Sequence, residues 1–142
     1  MIGIIGALSE EVEIAYQYGG SIKRRRRFSG ISFITGKLHG KKCVVAQCGI
    51  GKVNAAVCAQ TMILRYKPDA VINCGVAGAL RRGLKTGDIV VARDVVQYDM
   101  DTTEFGDRPG LLNIGKESMV EMPVRQGACR GAYAGVFLPW NR

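Results

Sequence analysis

Glycine turns at the ends of short apolar runs constrain the fold of this chain more than any other feature of its sequence. Strand-like segments that contain short apolar runs occupy residues 1–8, 41–47 and 69–74, and each contains a glycine or is closely followed by one. Between the second and third runs, residues 53–66 place apolar side chains at helical spacing, and Pro68 follows as a stop signal. Strand, helix and strand in this order, with glycines at the strand ends, predict an α/β sheet.

Further elements are predicted around this unit. Residues 9–11 carry a serine and two glutamates directly after the first apolar run, which is typical of a helix start. Residues 28–37 predict another strand, joined to the second apolar run by a turn at residues 39–40. Residues 88–96 predict a further strand. With 142 residues, the chain has enough material for one domain by the rough guide of ~100 to 200 residues each.

The formal net charge of +8 raises the question of nucleic-acid binding, and its sharpest contributor is the basic run Lys23 to Arg27. Such a run can follow a phosphate backbone, but specific recognition normally adds base-reading or stacking residues at a defined site. The run lies between two glycines and a strand-like segment, which favours a solvated approach to a hairpin. We therefore do not expect nucleic acid to be a partner.

The cysteines and the N-terminal residues indicate the cellular compartment of the protein. The chain has five cysteines without a C-x-x-C pair, which predicts reduced structural thiols and neither a disulfide framework nor a zinc cluster. The start of the chain lacks the basic front and longer apolar stretch of a signal peptide. No apolar run approaches the ~20 residues of a membrane span. We expect a cytoplasmic protein without a membrane partner.

Two glycine-containing motifs can be compared with nucleotide-binding loops. Residues 3–6 lack the full G-x-G-x-x-G spacing, and no suitably placed acidic residue follows to hold a dinucleotide ribose. Residues 49–52 contain a lysine but have neither the spacing of a Walker loop nor its serine or threonine. Dinucleotide and nucleoside triphosphate binding are therefore disfavoured.

Several segments of the chain together point to a family. They are GIIGALSEE at 3–11, GIGKVNAA at 49–56, INCGVAG at 72–78, GDIVV at 87–91 and DMDTT at 99–103. In this order and spacing, the chain closely resembles the 5′-methylthioadenosine/S-adenosylhomocysteine nucleosidases of the nucleoside phosphorylase superfamily. The resemblance covers residues 1–113 and implies the N-terminal half of an incomplete three-layer α/β/α domain with a mixed central sheet.

The resemblance also implies a reaction. The family hydrolyses the N-glycosidic bond of methylthioadenosine or adenosylhomocysteine, giving adenine and a thioribose, and needs no metal or organic cofactor. Such a reaction uses an acid to protonate the departing base and a carboxylate to steer water to the opposite face of the sugar. Two alternatives stay open: a phosphate-dependent nucleoside phosphorylase, and a noncatalytic dimerisation or binding fragment.

Glu11 matches the family carboxylate that orients and activates the attacking water. Its place after the first strand suits this role, because ligands of α/β sheets gather at the carboxyl ends of strands. The competing interpretation is a glutamate that only favours the positive end of a helix dipole, which contributes about 0.3 to 1 kcal/mol. The resemblance favours the catalytic role.

Other site residues are implied by matching positions. Ile50 matches the lining of the pocket for the 5′-alkylthio group of the nucleoside substrate. Val76, Ala77 and Gly78 match the loop beside the ribose and the water, although many relatives have serine at the position of Val76. A purely structural turn is the alternative for this loop.

The segment at residues 99–105 resembles the part that, in the family's homodimer, reaches the 5′-thio pocket of the partner subunit. Phe105 and Pro109 would be its apolar contributors. The only histidine, His39, lies in a predicted turn, where we expect it to be solvated.

The resemblance ends near residue 113. The Met-Glu pair that grips the ribose in the family and the later aspartate that acts as general acid match nothing in this sequence. Residues 120–122 echo the pair but are followed by Pro123, and no acidic residue occurs after Glu121. We predict that residues 114–142 form an atypical tail, non-native or disordered, and that this chain alone turns over little or no substrate.

Overall fold

A mixed six-stranded sheet organises the part of the chain that the structure describes. The computed structural model describes residues 1–17, 22–78, 82–92, 99, 101–107 and 134–137. The elements are β1 (Ile2–Gly6), α1 (Ser9–Gln17), β2 (Ile22–Phe28), β3 (Ile31–Leu38), β4 (Lys41–Gln47), α2 (Lys52–Tyr66), β5 (Ala70–Cys74), a 3-10 turn (Thr103–Phe105) and β6 (Ala134–Phe137). The strand order in the sheet is β2-β3-β4-β1-β5-β6.

The three predicted apolar runs form the parallel centre of this sheet. β1 pairs in parallel with β4 on one side and with β5 on the other, so that Ile4 lies between Val45 and Ile72. β1 and β4 have successive buried residues on both faces, which explains why they read as continuous apolar runs, whereas the residues of β5 are intermediate in burial or exposed. The carboxyl ends of all three strands therefore meet at one edge of the sheet.

One helix covers each face of the sheet. On one face α2 packs Cys58 and Met62 against a cluster that includes Phe33 and Val44, and all four side chains are fully buried. On the other face α1 contributes Val12 to a smaller cluster with Ile4, Cys43 and Val45. The predicted three-layer α/β/α arrangement with a mixed sheet is confirmed.

The helix α2 has the predicted extent and ends by a recognisable mechanism. Lys67 adopts the left-handed conformation with φ of 47°, and its N–H donates to the carbonyl oxygen of Ile63 at 3.0 Å. Pro68 follows and cannot continue a helix. None of the helices in the described ranges has the length and apolar character needed to span a membrane.

The predicted strand over residues 28–37 is wrong in its first part. Ser29 and Gly30 have φ of 48° and 78°, and His39 and Gly40 have φ of 47° and 79°. Both pairs fit the two-residue turns that join hairpin strands. The chain therefore forms two successive hairpins, and the basic run lies within the edge strand β2 instead of leading up to the sheet.

The predicted strand at residues 88–96 is also wrong for the part of it that the structure describes. The turn at Gly87 is present, but residues 88–92 form neither strand nor helix, and residues 93–96 lie outside the described ranges. The outer edge of β5 is paired with β6 in antiparallel register, so that edge offers this segment no partner. Apart from the backbone of β6, the predicted tail at 114–142 lies outside the described residues.

Candidate active site

Loops from three neighbouring strands converge at the carboxyl edge of the sheet. The end of β1 leads into α1 and Glu11, the end of β4 leads to Ile50, and the end of β5 leads to residues 75–78. The N–H of Cys48 donates to the carbonyl oxygen of Gly6 at 2.9 Å, which extends the pairing of β1 and β4 beyond the strands. This edge is where open α/β sheets bind their ligands.

Glu11 joins two of these loops through its carboxylate. Oε2 accepts hydrogen bonds from the backbone N–H groups of Ala7 at 2.7 Å and Leu8 at 2.9 Å. Oε1 accepts one from the backbone N–H of Val76 at 3.0 Å, across 65 residues of sequence. A carboxylate has about four acceptor positions on its two oxygens. Within the described residues, one position on Oε1 is therefore left to face a ligand or water.

This environment keeps Glu11 ionised. Burial raises the pKa of the Glu11 carboxyl, and the N–H groups of Leu8, Val76 and Ala7 lower it by more in combination. The pKa consequently lies below its usual value, because hydrogen bonds to the charged form favour that form. At neutral pH Glu11 is an anion and a pure hydrogen-bond acceptor.

Two glycines allow the carboxylate to lie this close to the strand ends. A Cβ atom on Gly75 would come within 2.6 Å of Oε1 of Glu11. One on Gly6 would come within 2.7 Å of Cγ1 of Val12 and 3.1 Å of Cβ of Glu11. By contrast, a Cβ on Gly78 would meet no atom within 4 Å. Gly75 and Gly6 are therefore part of the site through their lack of a side chain.

Two thiols lie close to Glu11, and no local pattern in the sequence predicts this. The Sγ of Cys74 donates to the backbone carbonyl of Glu11 at 3.7 Å. Burial raises the pKa of both Cys74 and Cys48, and the negative charge of Glu11 raises the pKa of each further. Both thiols are therefore protonated at neutral pH and are unsuited to act as nucleophiles.

The predicted substrate-binding residues lie on the loops around Glu11. Ile50 is 75% exposed and Val76 is 74% exposed, and Ala77 and Gly78 are exposed as well. The side-chain amide of Asn54 donates to the carbonyl oxygen of Ile50 at 2.7 Å and fixes that loop against the start of α2. Val76 contributes to the site through its backbone N–H, so the contact with Glu11 does not depend on a serine at this position.

The predicted partner-subunit segment is held beside the start of α2. The ammonium of Lys52 donates to both carboxylate oxygens of Asp99, at 2.7 and 2.9 Å. Asp101 accepts hydrogen bonds from the N–H and the hydroxyl of Thr103 at the start of the 3-10 turn. Phe105 is 88% exposed. Pro109 lies outside the described residues. The Lys52–Asp99 pair was not anticipated from the sequence, because nothing in their spacing of 47 residues signals contact.

Comparison with known proteins gives consistent matches over most of the chain. The sequence model of the phosphorylase superfamily matches residues 1–134. The 5′-methylthioadenosine/S-adenosylhomocysteine nucleosidase of Staphylococcus haemolyticus (strain JCSC1435) is 43% identical over 112 residues, which cover 79% of this chain and 49% of that protein. The chain therefore spans about half the length of the curated relatives it matches.

Solved structures agree with the sequence matches. The nucleosidase of the same name from Neisseria meningitidis, in complex with methylthio-immucillin-A, superposes with a TM-score of 0.77 at 34% identity and covers 87% of this chain and 52% of that chain. Futalosine hydrolase of Helicobacter pylori superposes with a TM-score of 0.75 at 33% identity, covering 86% and 51%. The fold of this chain thus recurs in a protein named as a nucleosidase and in one named as a futalosine hydrolase.

Proposed function

Because this chain belongs to the phosphorylase superfamily, we propose that it carries the water-activating part of a purine nucleosidase site. The reaction is hydrolysis of the N-glycosidic bond of methylthioadenosine or adenosylhomocysteine to adenine and a thioribose. The observation that carries this proposal is the Glu11 carboxylate, which lies at the carboxyl ends of β1 and β5 and is fixed by three backbone N–H donors. The similar nucleosidases support the substrate class.

The chemistry follows from the remaining acceptor position of Glu11. As the base departs, positive charge develops on the sugar ring, and water must attack from the face opposite the base. A fixed carboxylate that accepts a hydrogen bond from the water orients its lone pair and takes up its proton as the bond to carbon forms. Because the N–H groups of two loops already position the carboxylate, it needs little rearrangement during the reaction.

The neighbouring loops suit an apolar, nonionic part of a nucleoside. Ile50 and Val76 expose apolar side chains beside Glu11, and we assign Ile50 to the 5′-alkylthio group. Val76, Ala77 and Gly78 are assigned to the ribose side of the site. Futalosine is the second substrate to test, because a futalosine hydrolase is among the similar structures.

We assign residues 1–113 to the N-terminal half of the family domain, supported by the 112 residues that align with the curated relatives. Residues 114–142 are proposed as an atypical tail after that half, of which the described residues 134–137 pair with β5. Turnover by this chain is expected to be slow, since neither the Met-Glu pair nor the general-acid aspartate of the family has a match in the sequence.

Association into a homodimer is part of the proposal. Val53 at the start of α2 is 78% exposed, close in sequence to Ile50, and Phe105 is exposed as well. Apolar side chains so exposed at one end of a helix favour an interface. In sedimentation, Val53→Asp should shift the chain toward monomer. Gln60→Asp, at an exposed polar position of the same helix, serves as the control and should leave the oligomeric state unchanged.

We place the protein in the cytoplasm. Four cysteines in the described part of the chain are free thiols, three of them buried. Thiols are maintained in a reducing compartment.

The test is adenine release from methylthioadenosine by the whole chain, in phosphate-free buffer and with added phosphate. We expect slow release that needs no phosphate and is lost in Glu11→Gln. Release only with phosphate would indicate a phosphorylase. Absence of release from methylthioadenosine, adenosylhomocysteine and futalosine would contradict catalysis. Association without release would then favour the noncatalytic alternative.

A further inference from the structure

A basic hollow lies at the far end of α2 from Glu11, and the proposed function makes no use of it. It has a volume of about 360 Å³ and is lined by Arg24, Arg26, Phe28, Thr35, Arg65 and Tyr66. β2 and β3 form one wall, and the last turn of α2 forms the other. Since α2 has 15 residues, its two ends are about 20 Å apart at 1.5 Å per residue.

The arrangement of the basic run explains why only some of its arginines line the hollow. Side chains alternate between the two faces of a strand, so Arg24, Arg26 and Phe28 share one face of β2. That face is the one covered by α2, because Arg26 pairs with Phe33 of the α2-facing core. Arg25 lies on the opposite face. Charged side chains anywhere on β2 can be explained by protection of an exposed sheet edge. That explanation does not account for the hollow.

Aromatic packing fixes the base of the hollow. The rings of Phe33 and Tyr66 stack with centroids 5.6 Å apart, and Phe28 contacts both rings. The guanidinium carbon of Arg65 lies 4.9 Å from the centroid of Phe28. This cation–π contact orients the arginine while leaving its N–H donors available. Arg65 is therefore held in place without an acidic partner.

The positive charges of the hollow are not neutralised by the described part of the chain. Arg24, Arg26 and Arg65 form no ion pair with a described carboxylate. Asp69, which follows the helix closely, is paired with the terminal ammonium of Met1. The carboxyl end of α2 contributes only about half a negative charge, against three full positive charges.

A hydroxyl group in the same place lacks a partner. The Tyr66 hydroxyl is buried and has no hydrogen-bond partner among the described residues. Burial raises the pKa of Tyr66, while the charges of Arg26 and Arg24 oppose that shift, which places both arginines within electrostatic reach of the hydroxyl. A buried polar group without a partner calls for an explanation in a folded protein.

We propose that this hollow binds the phosphate group of a small phosphomonoester, with the organic part against Phe28 and Tyr66. Guanidinium groups offer paired N–H donors that match phosphate oxygens, and the Tyr66 hydroxyl supplies one more donor. A hollow bounded by two walls fits a compact anion better than the extended backbone of a nucleic acid, which calls for a continuous basic groove.

The test measures binding of inorganic phosphate and of phenyl phosphate to the whole chain by calorimetry. We expect phenyl phosphate to bind more tightly than phosphate. Arg24→Gln and Arg26→Gln should each weaken binding by about tenfold, as expected for loss of a charge-assisted hydrogen bond. The matched control Arg25→Gln removes the same charge from the same strand on the other face, and should change the affinity by less than about twofold. A circular dichroism spectrum for each variant identifies any loss of fold.

Two further variants and three possible results test whether the hollow is a phosphate site. Tyr66→Phe should weaken phosphate binding while keeping or raising the melting temperature, because a buried hydroxyl without a partner is removed. Glu11→Gln should leave phosphate binding unchanged, so this inference stands or fails independently of the nucleosidase proposal. Equal weakening by Arg25→Gln and Arg26→Gln, tighter binding of a single-stranded oligonucleotide than of phenyl phosphate, or no binding of either phosphate probe would each overturn it.

Discussion

Glu11 and the segment around Asp99 are both held at the carboxyl edge of the sheet, but by different kinds of contact. Glu11 is partly buried and accepts three backbone hydrogen bonds from two loops, one of them long-range. Asp99 makes one ion pair with Lys52, and both side chains are more than half exposed. Backbone donors lose no side-chain entropy when they bind, whereas an exposed ion pair must order two side chains. The first arrangement can fix the position of a carboxylate by itself, and the second needs additional contacts to fix the segment.

The largest expected effect is on chemistry at Glu11. Glu11→Gln keeps the shape of the side chain but removes the negative charge and the ability to take up a proton. We expect adenine release to fall by about a hundredfold or more. The control is Glu10→Gln, because the Glu10 carboxylate is exposed and accepts a hydrogen bond from the hydroxyl of the neighbouring Ser9. Equal activity of the two variants would reduce Glu11 to a structural link between loops.

The second effect is on the position of that carboxylate. Gly75→Ala would place a methyl group 2.6 Å from Oε1 of Glu11, so the hydrogen bond from Val76 must lengthen or break. We expect a loss of about 1 to 3 kcal/mol in the free energy of unfolding, measured by urea denaturation. Gly78→Ala is the matched control in the same loop, where the methyl group meets open space. A stable Gly75→Ala variant would mean that the β5 loop moves freely relative to Glu11.

The sequence predicted the strand ends that carry the site better than it predicted the contacts between them. The β1, β4 and β5 runs and the helix α2 could be found because short apolar runs and the stop at Pro68 are local signals. The hydrogen bond from Val76 to Glu11 and the pair between Lys52 and Asp99 leave none, since each joins residues distant in sequence.

The two errors in strand prediction have local and nonlocal causes. The turn at residues 29–30 was missed because Phe28 and residues 31–37 read as one continuous apolar pattern across it. The segment at residues 88–92 has the composition of a strand, but the edge of β5 is already paired. A segment needs an available sheet edge as well as suitable side chains to form a strand. The sequence of one segment shows only its side chains.

The third effect is a pH dependence of stability. The pKa of Glu11 is lower in the folded chain than its usual value of 4.5. Glu11 therefore stabilises the folded chain at pH values above its usual pKa. This stabilisation is lost as the pH falls through the lower pKa of the folded state. In urea titrations, the difference in stability between the chain and its Glu11→Gln variant should be constant near neutral pH and shrink with acidification below 4.5. A difference that stays constant into the acid range would mean that the three N–H donors do not favour the ionised form.

The smallest effect is expected for the pair that holds the second region. In a double-mutant cycle of Lys52→Met and Asp99→Asn, we expect a coupling of about 0.2 to 1 kcal/mol in the free energy of unfolding, decreasing at high salt. Asp101→Asn is the control, because it alters the local contacts to Thr103 and leaves Lys52 in place. A coupling well above this range that resists salt would show that the segment is buried in solution, as it would be if a second subunit covered Phe105. In that case the Lys52–Asp99 pair would be weaker than the Glu11 contacts only in the isolated chain, and not in the dimer. The cycle should therefore be measured across the protein concentrations at which association begins.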